Sequence, residues 1–318
     1  MKIGLIGLGD IAQKAYLPVI AQKAYLPVIA QWPGVEVIFC TRNTQTLAEL
    51  ASRYHVTHSC TDYRQLIDMQ VDAVMIHAAT AVHPEIAAFF LTHGIPTFVD
   101  KPLADSAHAC ETLYEVAAQH RQPLYVGFNR RHIPLFNQHL AGVQSAARDD
   151  LRALRWEKHR YNHSGDVRTF LFDDFIHPLD SVNLYAKADI EDVYITHQLN
   201  ATKLARVDVQ WQHGQTLLHA SMNRQFGQTS ERVSAQFVNQ GYEFDSFVAG
   251  KHWQANQETT LALKDWTPML TAKGFAPMIQ DWLNVVQSGK LDSAVVNRNI
   301  ASHQLAEAVC QKILNQMR

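Results

Sequence analysis

No stretch of this 318-residue chain reaches the roughly 18 consecutive apolar residues that a membrane span requires, which argues against a membrane partner. The opening residues, MKIGLIGLG, are apolar at once and carry neither the basic start nor the small-residue cleavage site of an export signal. They predict a first β-strand, and the cytoplasm is the expected compartment. Basic runs are also missing. With 28 Lys and Arg against 30 Asp and Glu, the formal net charge is −2, and nothing resembles the clusters that displace counterions from nucleic acid. Cysteine is scarce and scattered. Cys40, Cys60, Cys110 and Cys310 form no C-x-x-C pair, so a disulfide framework is excluded and buried thiols in a reducing compartment are expected. His159 and His163 lack an H-E-x-x-H context or a thiolate partner, and no metal is predicted.

What remains is a globular composition, 47% apolar and 18% charged, with room for about two domains. Up to residue 128, short apolar runs (KIGLIG, VEVIFC, DAVMIH, PTFVD and PLYVGF) alternate with helical patterns around 43–54, 83–93 and 105–120. Runs apolar on both faces are typical of buried parallel strands, and their alternation with helices predicts β-α-β units. Asp105 is expected to cap the third helix and Gly94 to stop the second. Beyond residue 150 the pattern becomes two-faced. ARVDVQWQ and TLLHASM flank His213-Gly214, and RVSAQFV and YEFDSFV flank a second turn, so two antiparallel hairpins are predicted. Helical patterns at 275–287 and 297–316 close the chain. The fold class is therefore α/β: a doubly wound parallel sheet over 1–128, then an α+β domain with a largely antiparallel open sheet over 129–318.

Gly7-Leu8-Gly9-Asp10-Ile11-Ala12 fits the dinucleotide fingerprint G-x-G-x-x-A. Gly7 permits the tight turn, Gly9 admits the pyrophosphate to the backbone, and Ala12 lets the helix lie close to the sheet. At the end of the second predicted strand, where an acid would bind a ribose 2′-hydroxyl, stand Thr41 and Arg42. A hydroxyl and a guanidinium suit a 2′-phosphate, so NADP is favoured over NAD.

The fingerprint runs into a tandem duplication: AQKAYLPVI occurs as Ala12–Ile20 and again as Ala21–Ile29. Nine residues rotate a helix by about two and a half turns, so the copies cannot both face the sheet. The first copy, in register with the fingerprint, is expected to form the native helix. The second is expected either to lengthen it by about 13 Å past the domain edge or to loop out before Trp32.

Lys101 follows PTFVD at the carboxyl edge, where open α/β sheets bind ligands, and can hold a reacting hydroxyl. Asp173 and His177 stand four apart on a predicted helix and would share a face. An imidazole suits the proton transfer that accompanies hydride transfer, and Asp173 could orient it. Nearby basic residues Arg130, Arg131, Lys158, His159 and Arg160 would suit a substrate phosphate or carboxylate, or else pair with Asp149, Asp150 and Glu157.

The stretches VDKPLA, GFNRRHIPLF and DDFIHPLD, with the fingerprint and ATAVHPEIA, resemble the Gfo/Idh/MocA oxidoreductases, most closely their MviM-type branch. The resemblance covers nearly the whole chain. It implies an oxidoreductase acting on a small molecule such as a sugar or polyol, in a homo-oligomer, dimer or higher, formed through the open sheet. It also implies Lys101, Asp173 and His177 as catalytic residues. Ala79, Thr80, His83, Asp100 and Lys101 then join the cofactor residues, and Arg131 and His159 join the catalytic three at the substrate. Asp100 stands where glutamate is commoner, and Phe175 where many members have glycine, narrowing the space beside the nicotinamide. A cofactor-binding regulator without turnover is the alternative.

Overall fold

The computed structural model describes residues 1–8 and 24–317. The chain forms two compact units: Met1–Gly127 together with Phe275–Ser293, and Phe128–Gly274 together with the final helical segment.

In the first unit, six parallel strands are β1 (Lys2–Ile6), β2 (Glu36–Cys40), β3 (Ser59–Cys60), β4 (Ala73–Ile76), β5 (Thr97–Val99) and β6 (Leu124–Val126). They lie in the order β3-β2-β1-β4-β5-β6. This is the doubly wound arrangement expected from the strand–helix alternation, with its switch point between β1 and β4. The five apolar runs each supply a strand. The two-residue β3 is too short to leave a pattern. Asn43 caps the helix Thr44–Tyr54 through a bond from the Thr46 N–H, and Gly94, at φ +76°, follows the end of His83–Thr92. One cap differs from expectation. The helix Ala107–His120 is capped by Ser106, whose Oγ accepts the Ala109 N–H at 3.3 Å, and not by Asp105. A serine at that position satisfies the same orphan donor one residue later.

The duplication also differs from expectation. The first copy lies outside the described residues. From Ala24 onward, the second copy neither overruns the domain nor loops out. Its short helix Leu26–Ile29 is seated in the core, with Tyr25, Leu26 and Ile29 at 1% exposure or less. The Tyr25 ring lies against His77, Phe98 and Phe275, at centroid distances of 4.3, 5.7 and 5.2 Å. Pro27 sits in the first turn, where its missing N–H breaks no helical bond.

The second unit is built on β7 (Leu151–His159), β8 (Tyr194–Asn200), β9 (Lys203–His213), β10 (Thr216–Asn223), β11 (Ser230–Phe237), β12 (Gln240–Phe244), β13 (Ala249–Gln254) and β14 (Gln257–Ala262). Their order is β14-β13-β12-β11-β7-β10-β9-β8. Every pair is antiparallel except β7 with β10. Both predicted hairpins are present. Val207, Val209 and Trp211 face inward beside Leu218, Ala220 and Met222, all buried. The same alternation on β7 turns Leu154, Trp156 and Lys158 inward, so an ammonium group enters the core and requires a partner. The helix Phe275–Ser288 belongs to the first unit, where Trp282 packs near Phe98 and Tyr125. The helix Ser293–Gln316 belongs mostly to the second. Among the described residues no helix is long and apolar enough to cross a membrane.

Candidate active site

Five strand ends of the first unit share one edge of the parallel sheet. Gly7 follows β1, Thr41 β2, His77 β4, Asp100 β5 and Gly127 β6, each tied to its neighbour by a backbone bond: Gly7 N–H to Cys40 O at 3.0 Å, Thr41 N–H to Cys60 O at 3.2 Å, His77 N–H to Ile6 O at 2.8 Å, Asp100 N–H to Ile76 O at 2.9 Å and Gly127 N–H to Val99 O at 2.9 Å. At the switch point the backbone comes very close. Gly7 has φ +90°, and a Cβ there would lie 2.4 Å from the Ala78 nitrogen. Only glycine fits. This is the tight turn after the first strand, packed against the backbone that follows β4, that the dinucleotide fingerprint requires of its first glycine. The fingerprint's Gly9, Asp10, Ile11 and Ala12 lie outside the described residues. Thr41 is buried and Arg42 is exposed at the end of β2.

Asp100 and Lys101 are both buried at the end of β5. Asp100 Oδ1 accepts the Tyr25 hydroxyl at 2.9 Å and the Lys101 N–H at 2.8 Å, so the carboxylate fixes the backbone from which the lysine springs. His83 braces the same edge. Its Nδ1 lies 2.9 Å from the Pro102 carbonyl oxygen and its Nε2 2.9 Å from that of Ala78, joining the segments after β5 and β4. Burial pulls its pKa below the ordinary histidine value, although both carbonyl contacts favour the protonated ring. Ala79 and Thr80 are half-buried in the turn before that helix.

His77, which the sequence reading passed over, is buried beside them. Burial pushes its pKa down to about 4, and neither ring nitrogen has a hydrogen-bond partner among the described residues. Buried polar atoms of this kind usually have a partner, so an uncharged imidazole at the switch point is consistent with a ligand there. With the Gly7 cradle, the residues present fit a dinucleotide.

In the second unit Asp173 and His177 do not share one regular α-helix, as their spacing had suggested. Phe170–Phe175 forms a π-turn, and the α-helix proper begins at Ile176. Such turns insert a residue and often accompany function. His177 is buried, with its Nε2 3.4 Å from Arg130 Nη1. Arg130 is held bidentate by Glu231, at 3.1 and 2.9 Å, and Trp156 Nε1 donates to the same carboxylate at 2.8 Å. Burial is the largest single effect and would raise the Glu231 pKa, but the charge and hydrogen bonds of Arg130, with Lys158 and Trp156, together hold the group below its usual range.

Next to Asp173 in sequence, Asp174 turns inward and meets three cations. Lys158 pairs with it, Arg160 closes on it with two bonds of 3.0 Å, and Arg224 reaches Oδ2 at 3.0 Å. Burial opposes its charge, yet the three cations hold its pKa well below the ordinary carboxylate value. The same burial pushes Lys158 down to about 7. Phe175 is fully buried.

Other predicted substrate residues are engaged elsewhere. Arg131 closes on the buried Asp180 at 2.9 and 2.5 Å, and Ser302 donates to the same carboxylate at 2.8 Å. His159 Nδ1 accepts the Asn223 N–H at 3.1 Å, and its ring lies 4.6 Å from that of Phe226. Beside His177 stands Arg130, not Arg131. Asp174, Arg224 and Glu231 gave no warning in sequence, because each is recruited by strands that pair only after folding.

A doubly wound sheet with a glycine cradle at its switch point, followed by an open, mostly antiparallel sheet carrying an aspartate–histidine segment, defines a nucleotide-dependent oxidoreductase of two-domain type. Residues 1–128 match the oxidoreductase family with NAD-binding Rossmann fold, and residues 141–246 match the YceM-like C-terminal domain. A Gfo/Idh/MocA family oxidoreductase from Vibrio cholerae is 61% identical, with a TM-score of 0.94 over 99% of each chain. YceM of Salmonella typhimurium is 28% identical over 99% of each chain. The myo-inositol dehydrogenase Hyg17 of Streptomyces leeuwenhoekii is 31% identical over 41% of each. The chain belongs to the Gfo/Idh/MocA family of oxidoreductases.

Proposed function

We propose that this protein transfers hydride between NADP, in preference to NAD, and a secondary alcohol or ketone of a sugar, polyol or related small molecule. The observation that carries the reading is the Gly7 cradle at the switch point with Asp100 and Lys101 on the same sheet edge. The similarity to a myo-inositol dehydrogenase supports the substrate class. Gly7 would make the turn and Gly9 would admit the pyrophosphate, Thr41 and Arg42 would hold the ribose 2′-phosphate, and His77 would offer a ring nitrogen to the bound dinucleotide. The nicotinamide supplies hydride chemistry when bound.

The chain's own residues do the rest. The Lys101 ammonium stabilises negative charge developing on the substrate oxygen. His177 takes the hydroxyl proton. A guanidinium can only donate, so His177 Nε2 meets Arg130 as an acceptor at 3.4 Å, and the substrate hydroxyl would replace that contact when this nitrogen takes the proton. Asp173 orients the histidine or holds substrate. A homo-oligomeric, cytoplasmic enzyme completes the proposal.

Nicotinamide reduction at 340 nm across a panel of polyols, sugars, sugar phosphates and sugar nucleotides tests it. Lys101→Met and His177→Asn are each expected to lower kcat by roughly 10²–10⁴-fold on the active substrate. Full turnover in both variants overturns the mechanism. Unchanged NADPH affinity in Arg42→Ala overturns the cofactor preference.

A further inference from the structure

Cys40 and Cys60 are scattered in sequence but are direct register partners on the neighbouring parallel strands β2 and β3. Both are buried, and both are free thiols. Directly opposed residues on adjacent parallel strands project to the same face, with backbones about 4.8 Å apart, inside the roughly 4.4–6.8 Å over which a disulfide can close. The thiols already interact. Their contact lowers the Cys60 pKa and raises that of Cys40. Cys110 and Cys310 are raised by burial, so Cys60 alone of the four is shifted toward thiolate.

β3 has two residues and lies at the sheet edge, so local opening there gives an oxidant access. The backbone of the pair holds the candidate cofactor site. Cys40 O accepts the Gly7 N–H at 3.0 Å, and Cys60 O accepts the Thr41 N–H at 3.2 Å.

We propose that Cys40 and Cys60 form a two-electron redox site that closes to an intrachain disulfide with hydrogen peroxide as oxidant, and that closure weakens dinucleotide binding through Gly7 and Thr41. The second half rests on the cofactor reading above. The Cys60 thiolate attacks one peroxide oxygen. The O–O bond breaks, a sulfenic acid forms, and the other oxygen leaves as water after taking a proton. The Cys40 sulfur then attacks the Cys60 sulfur. The S–S bond forms, the S–O bond breaks, and a second water leaves with the Cys40 proton. Two thiols are oxidised, and one peroxide is reduced to two waters.

The test uses the reduced full-length protein and a small molar excess of hydrogen peroxide. Thiols titrated after denaturation are expected to fall from four to two, with a Cys40–Cys60 linked peptide two hydrogens lighter by mass, reversed by dithiothreitol. Cys60→Ser is expected to abolish the linked peptide. Retention of all four thiols, linkage of another pair, or oxidation of Cys60 without linkage overturns the redox site. NADPH affinity, followed by fluorescence titration, is expected to fall about tenfold or more on oxidation. Equal affinity in both states overturns the coupling. A reduced protein that does not bind NADPH overturns the cofactor reading and the coupling, and leaves the thiol chemistry, read by mass, standing.

Discussion

The hydroxyl of Tyr25 donates to Asp100 Oδ1 over 2.9 Å, joining the second copy of the duplicated nonapeptide to the residue before the candidate catalytic lysine. The same oxygen accepts the Lys101 N–H, so a residue of the repeat helps fix the lysine's backbone. Tyr25→Phe removes one hydrogen bond and is expected to cost about 1 kcal/mol. Tyr25→Ala also empties the space between His77, Phe98 and Phe275 and is expected to cost roughly 3–5 kcal/mol. Urea denaturation of both variants checks the difference, and equal losses would show that ring packing contributes nothing beyond the hydroxyl.

Because the copies are identical, deleting residues 12–20 or 21–29 gives the same chain. One copy then serves both the fingerprint and the seated Tyr-Leu-Pro-Val-Ile segment. The shortened protein is expected to melt at or above the temperature of the parent and to keep its NADPH affinity. A collapse in either would make the duplication integral to the fold.

Gly7→Ala places a methyl group 2.4 Å from the Ala78 nitrogen on a residue at φ +90°. Backbone must move, since neither atom belongs to a flexible side chain. A loss of roughly 2 kcal/mol or more is expected, together with loss of NADPH binding. Thermal melting and fluorescence titration on one preparation measure both.

Lys158 titrates at about 7 in the folded chain against 10.5 for the free group. Between those values the unfolded chain holds a proton that the folded chain lacks, so this site's contribution to stability rises with pH across that window. Below about pH 7 both states are protonated, and the cost of the buried ammonium is fully present. Asp174 keeps two arginines without Lys158. Lys158→Met is therefore expected to be at least as stable as the parent near pH 6, by roughly 1–4 kcal/mol, with the gap closing toward about pH 10. Urea midpoints along that range decide it. A variant less stable near pH 6 would mean that the pair with Asp174 outweighs desolvation.

Much of this was readable from residue order. The strands of the first unit were visible because parallel strands, covered on both faces, need unbroken apolar runs, and VEVIFC and DAVMIH are such runs. The hairpin of β9 and β10 was visible because one face is wet, which imposes alternation. The pitch of the Asp173–His177 segment was not, because a π-turn leaves the residue pattern of an ordinary helix. Nor was the seating of the second nonapeptide, since identical copies carry no local signal to choose between them.

Sequence by itself determined the fold class and the glycine at the switch point, because these follow from period, spacing and backbone sterics within short stretches. Tertiary structure alone decided that Asp174 meets Lys158, Arg160 and Arg224, that Arg130 rather than Arg131 stands by His177, and that Cys40 faces Cys60. Those pairings depend on strand register and on which face of an element is buried. Both are fixed by packing between segments tens of residues apart, where no local pattern reaches.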